Sequence, residues 1–198
     1  MDDGPASPAA AKPVRLFVAV DVPVHMRSEL LARLEPIRGS VPGARWTRPD
    51  GWHVTVKFIG WTPPEAIPDV EAAVAAVAAS MRRFDTRITR LGAFPKPGRA
   101  RVLWAGLDDG RGTFAQMVKQ LDGSLSAFVQ PEKRAFTPHL TLARIAPPAR
   151  VGSDVLDLAV GSEPFAVERL SLYRSHLSPK GATYEVLVSA PVEVGAGT

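Results

Sequence analysis

Two phrases of this chain nearly repeat each other: His53-Val54-Thr55-Val56 and His139-Leu140-Thr141-Leu142. Alternation of polar and apolar residues marks a β-strand, because successive side chains leave opposite faces of it. Each phrase therefore offers an imidazole and a hydroxyl on one side and a greasy row on the other. That row is Val54, Val56 and Phe58 in the first strand and Leu140 and Leu142 in the second. A basic residue follows each phrase, Lys57 and Arg144. Two such strands, one from each half, can face each other across a groove and bring two imidazoles and two hydroxyls together.

The rest of the chain mixes short apolar strands with amphipathic helices. Residues 14–22 (VRLFVAVDV) read as a buried strand ended by Pro23. Leu30, Leu31, Leu34 and Ile37 share a helical face that stops near Gly39. The first phrase lies in a strand over 52–59, ended by Gly60, and a helix follows with Ile67, Val70, Val74, Val77 and Met81 in step. Strands are predicted over 84–91 and 102–107, separated by a Pro/Gly loop at 95–99. A turn at Asp108-Asp109-Gly110 leads into a helix carrying Phe114, Met117, Leu121, Leu125 and Phe128. The second phrase opens a strand over 139–145, stopped by Pro147-Pro148. A helical segment over 153–160 and two strands over 165–174 and 182–189, joined around 178–181, complete the pattern. Without a regular βαβ alternation, and with neighbouring strands placed to pair as hairpins, the pattern predicts an α+β fold with antiparallel sheets. The expected organisation is a tail over 1–13, one domain over 14–190 and a second tail over 191–198.

Composition narrows the chemistry. The chain has 198 residues, enough for one domain or two tightly joined lobes, with 45% hydrophobic and 22% charged residues. It has no cysteine, which removes disulfides, thiolate nucleophiles and cysteine-bearing zinc sites. No apolar run approaches the roughly 20 residues that span a bilayer. The first residues carry Asp2 and Asp3 where a secretory signal would be basic, so a cytoplasmic protein is expected. The net charge of +4 leans mildly toward a polyanionic substrate. No glycine-rich loop of the P-loop or dinucleotide type is present.

The histidines are four: His25, His53, His139 and His176. A single His-x-Thr is most simply a structural feature of a strand, whereas two copies on four histidines favour chemistry. Two imidazoles and two hydroxyls suit hydrolysis of a phosphodiester. One neutral histidine takes a proton from water and one protonated histidine gives a proton to the leaving oxygen, each worth roughly 10²–10⁴ in rate. The hydroxyls can bond the non-bridging oxygens as their charge grows. A metal site is the competing reading, but no third ligand stands at suitable spacing from either phrase.

With both phrases in view the chain resembles the two-histidine phosphoesterase superfamily, and within it the RNA 2′,3′-cyclic phosphodiesterases, or 2′-5′ RNA ligase-like proteins. The likeness extends to Arg15-Leu16-Phe17-Val18-Ala19-Val20, Arg101-Val102-Leu103-Trp104-Ala105-Gly106, the run from Phe136 to Arg144, Leu172-Tyr173-Arg174-Ser175 and Tyr184-Glu185-Val186-Leu187. The resemblance implies a bilobal, pseudo-twofold α+β fold: two antiparallel sheets with helices outside and a central cleft. It implies cofactor- and metal-free opening of a terminal cyclic phosphate to a 2′-phosphomonoester, whose reversal is 2′-5′ ligation. It makes His53 the proton donor and His139 the proton acceptor, and Thr55 and Thr141 phosphate ligands. Arg144 matches a basic residue after the second motif that can clamp a phosphate, although strand parity sets it on the Leu140 and Leu142 face. Phe17 either lines the cleft or packs in the core. RNA or oligonucleotide ends are the expected partner, and a monomer the expected state. Competing functions are a 2′-5′ oligonucleotide or cyclic nucleotide phosphodiesterase and a non-catalytic RNA- or nucleotide-binding module.

Other residues invite two readings each. Trp46 and Trp52, among Arg45 and Arg48, offer either a base-stacking surface or core packing. Lys96, Arg99 and Arg101 are either RNA contacts or solvated charge, with solvated charge the simpler reading. His176 approaches the cleft only if its strand does, and His25 belongs to a helix surface.

Overall fold

A computed structural model of the chain describes residues 12–193 apart from 110, 133, 179 and 180. The tails expected at 1–13 and 191–198 fall mostly outside the described residues, as does the connection expected at Pro179-Lys180. Among the described residues the order is β1 (Val14–Asp21), α1 (Val24–Leu34), β2 (Ala44–Trp46), β3 (His53–Thr62), α2 (Ile67–Ser80), β4 (Phe84–Thr86), β5 (Ile88–Phe94), β6 (Ala100–Leu107), α3 (Thr113–Ser124), β7 (His139–Ala149), α4 (Ser153–Leu156), β8 (Phe165–Val167), β9 (Arg169–Ser178) and β10 (Gly181–Pro191). None of these helices is long and apolar enough to cross a membrane.

Eight strands form one antiparallel sheet in the order β10-β9-β1-β3-β7-β6-β5, with β2 paired to β7. Strands β4 and β8 make a separate two-stranded ribbon. The class read from the sequence, α+β with antiparallel sheets, is the class observed. The sheets of the two halves meet through one residue pair, Val54 with Leu140. Exchanging β1, β3, β4 and β5 for β6, β7, β8 and β9 reverses the strand order and leaves it otherwise unchanged. That is the pseudo-twofold, with β2 and β10 added to it.

Helical spacing explains the core. Met26, Leu30 and Leu34 of α1, Val70, Val74 and Val77 of α2, and Phe114, Met117 and Leu121 of α3 each make one buried stripe. They pack in one cluster with Leu16, Val18, Val20, Val54, Val56, Leu140 and Leu142 of the sheet. Phe17, Ala19 and Tyr173, which leave the opposite face, form a cluster of their own. The sheet thus has a core face and a second face on which both histidines lie.

Several boundaries differ from the sequence reading. The strands expected over 84–91 and 165–174 are each broken in two. At Arg87 and at Glu168 the chain leaves the small ribbon and enters the large sheet, which ends one alternation and begins another. Strand β3 does not stop at Gly60: a glycine at φ +90 lets it continue to Thr62. The helix expected over 153–160 is a single turn, because Val155 and Val160 both reach the core from an irregular path. Phe128 packs on the core beyond the end of α3.

Candidate active site

His53 opens β3 and His139 opens β7, and the one pair joining those strands lies between the motifs. Carried one residue either way, the register of Val54 and Leu140 sets His53 opposite Thr141 and Thr55 opposite His139. All four side chains leave the second face of the sheet, and all four are half-buried. Beyond this point the strands part. Thr47 enters the gap, its hydroxyl 2.9 Å from the Thr141 carbonyl and 2.8 Å from that of Leu142. Strand β2 then takes over pairing with residues 143–145.

A bulge follows each threonine. Ala19 pairs with Thr55 and Val18 with Lys57; Trp104 pairs with Thr141 and Leu103 with Ala143. Val56 and Leu142 are the extra residues, and both sink into the core. A bulge inverts the parity of everything after it. Phe58, expected on the greasy face, therefore pairs with Phe17 on the histidine face and is 50% exposed. Arg144, which simple alternation sets on the Leu140 and Leu142 face, pairs with Val102, two residues from Trp104, and so stands exposed on the histidine face. Lys57 is the reverse case: buried, it binds the Asp122 carboxylate on α3 and donates to the Gln130 carbonyl at 3.1 Å.

Both imidazoles are held in the same way. Nδ1 of His53 lies 2.7 Å from the Gly51 carbonyl, and Nδ1 of His139 lies 2.7 Å from that of Thr137. A carbonyl only accepts, so each Nδ1 carries a proton and donates it, and each Nε2 is left to exchange one. Phe17 stacks on His53 at 4.8 Å and is backed by Tyr173 at 5.1 Å, while Tyr184 meets His53 edge-on at 5.0 Å. His139 meets Phe94 edge-on at 5.1 Å and Trp104 at 6.2 Å.

The charge around His53 is specific. Burial holds its pKa below the usual histidine value. The hydrogen bond to Gly51 and the Asp21 carboxylate oppose that effect, while the Arg27 guanidinium adds to it. Asp21 is the cross-strand partner of His53 and accepts the Tyr173 hydroxyl. Burial and that bond together push the Tyr173 phenol well above its ordinary value, so it remains a donor.

Other residues from the sequence reading fall elsewhere. Trp52 is core, donating from Nε1 to Thr47 at 2.8 Å, and Arg38 lies over Trp46 at 5.4 Å. His176 is on the reverse side of β9, 2.8 Å from Glu185, because it alternates with Tyr173 and Ser175. His25, Lys96, Arg99 and Arg101 are exposed. Among the described residues no three His, Asp or Glu side chains gather as a metal would require. Asp21 joins the site without a sequence signal beyond its parity with Phe17. Tyr184, Phe94 and Trp104 stand against the histidines only through strand pairing.

The family described as LigT like phosphoesterase matches the chain twice, over residues 21–104 and 107–184. A Thermus thermophilus protein named RNA 2′,3′-cyclic phosphodiesterase is 34% identical over 184 residues, covering 88% of each chain. Its Aeropyrum pernix namesake is 33% identical over 171 residues, covering 80% of this chain and 94% of the other. The crystal structure of TT0787 from Thermus thermophilus has a TM-score of 0.75 at 30% identity, covering 91% of this chain and 99% of that one.

Proposed function

The chain belongs to the LigT-like phosphoesterase family, and from that premise we propose that it is an RNA 2′,3′-cyclic phosphodiesterase acting through His53 and His139 without a metal. The observation that carries this reading is the matched anchoring of the two imidazoles. Each donates Nδ1–H to the carbonyl two residues earlier and keeps Nε2 for proton transfer, across from a threonine of the other motif.

The chemistry then follows from position. Nε2 of His139 takes a proton from water as its oxygen attacks phosphorus. The bond from phosphorus to the ribose 3′ oxygen breaks, and Nε2 of His53 supplies the proton that the departing oxygen needs. The product is a 2′-phosphomonoester. Thr55 and Thr141 donate to the non-bridging oxygens, where negative charge grows. Arg144, on the same face, offers a guanidinium to those oxygens. Burial favours neutral His53, and a bound phosphodiester brings a negative charge that favours the imidazolium.

The test is hydrolysis of a short RNA ending in a 2′,3′-cyclic phosphate, with EDTA present and the product monoester identified. Turnover to a 2′-phosphate is expected. A 3′-phosphate product overturns the leaving-group assignment, and loss of turnover in EDTA overturns the metal-free mechanism.

A further inference from the structure

The histidine face does not end at the motifs. Strand pairing arranges it in rows, and moving outward from the His53 half each row advances two residues of β1, about 7 Å. The row beyond Thr55 holds Phe58, Phe17 and Tyr173. The next holds Trp61, Arg15 and Ser175, since Arg15 pairs with Trp61 on one side and with Ser175 on the other. Trp61 is 68% exposed, an unusual cost for the largest apolar side chain. A second bulge, in which Gly60 pairs with Leu16 and Phe58 with Phe17, turns it to this face rather than into the core. Arg15 makes no ion pair or hydrogen bond among the described residues. The outer row is thus an open indole beside an uncommitted guanidinium, continuous with the candidate site.

We infer that this row binds the second nucleotide from the RNA end, its base on Trp61 and its phosphate on Arg15, so that the substrate is a single-stranded oligonucleotide rather than a mononucleotide. The inference rests on the proposed function, through one step of geometry. If His53 protonates the departing ribose oxygen, the ribose and the RNA attached to it lie over the His53 half, and water approaches from the His139 half. The terminal base then meets Phe58, and the chain leads outward to Arg15 and Trp61. Ring faces accept any base, and a cation beside the outer ring matches the phosphate, the usual pairing of groups in single-strand recognition.

The test compares a mononucleoside 2′,3′-cyclic phosphate with a trinucleotide carrying the same end, in the full chain and in Trp61→Ala. The substitution is expected to raise KM for the trinucleotide about tenfold, the loss of one stacked base. It should leave kcat and the mononucleotide unchanged, and Trp61→Phe should restore most of the effect. Equal effects on both substrates, or none on either, overturn the inference. Binding of a trinucleotide ending in a 2′-phosphate reads the row without turnover. A tenfold weakening in Trp61→Ala supports the row even in a protein that fails to open the cyclic phosphate, in which case the function falls and the row stands. Unchanged RNA binding with altered self-association makes the row a protein contact and overturns it.

Discussion

The His53 and His139 half-sites share a backbone design and differ in almost every side chain around it. Opposite the histidine stands Asp21 in the first half and Gly106 in the second. Opposite the threonine stands Ala19 in one and Trp104 in the other, and on the next strand Ser171 faces Ala19 where Gly92 faces Trp104. After the bulge come Phe58 and Arg144. The first half keeps small residues beside its threonine and stacks Phe17 on Tyr173 one row out. The second half sets its large ring beside the threonine and clears space with two glycines, since a Cβ at either Gly92 or Gly106 would strike the Trp104 ring. The lesson is that the two halves share what aims the imidazoles, namely strand, bulge and carbonyl anchor, while charge and bulk differ. A carboxylate beside one ring and a guanidinium on the other's half suit two different proton tasks.

The largest expected effect tests whether those tasks differ. His53→Ala and His139→Ala should each lower kcat by roughly 10²–10⁴ while substrate binding persists. A phosphodiester whose leaving group is p-nitrophenolate needs no protonation as it departs. With it, His53→Ala should recover most of its loss and His139→Ala should not. Equal behaviour of the two variants on that substrate would remove the donor and acceptor assignment and make the half-sites interchangeable.

A smaller effect probes the packing difference. Gly92 and Ser171 occupy equivalent places, yet only one of them can bear a side chain. Gly92→Ala should destabilise the fold by about 1–3 kcal/mol through overpacking against Trp104. Ser171→Ala removes a buried hydroxyl 2.8 Å from Ser189 and should cost about 1 kcal/mol. Urea midpoints of the two variants decide it. If Gly92→Ala is the more stable of the pair, Trp104 does not depend on the space above that glycine.

Lys57 and Arg144 mark how far a sequence carries this fold. Both follow a His-x-Thr phrase, Lys57 four residues after its histidine and Arg144 five, so plain alternation sets Lys57 on the histidine face and Arg144 in the core, and in the structure each takes the other place. The strands, the α+β class and the shared face of His53 and Thr55 are period-two facts, legible wherever alternation is clean. The bulges are not, because an extra residue such as Val56 or Leu142 continues the alternation begun by Val54 or Leu140 and declares itself only through pairing with β1 or β6. For the same reason the breaks at Arg87 and Glu168 leave no mark in the sequence. Tyr184 and Phe94 reach the histidines from strands distant in sequence, and only the sheet order brings them near.

The smallest effect is electrostatic and isolates the burial of His53. Its pKa in the folded chain lies below the ordinary value of 6.5 that it has when unfolded. As pH falls through 6.5 the unfolded chain therefore takes up a proton that the folded chain still refuses. Stability drops with pH over that interval, and the loss is complete once pH has passed below the folded value. His53→Gln has no such proton to take up. Its stability should fall less steeply than that of the parent between pH 7 and pH 5, as denaturation midpoints taken across that range would record. Asp21→Asn should act in the opposite sense, because the carboxylate offsets part of the burial. Without it the folded chain resists protonation further, and the drop steepens. Parallel stability curves for the parent and His53→Gln would mean that burial does not set the protonation of this ring, and the asymmetry between the half-sites would reduce to shape alone.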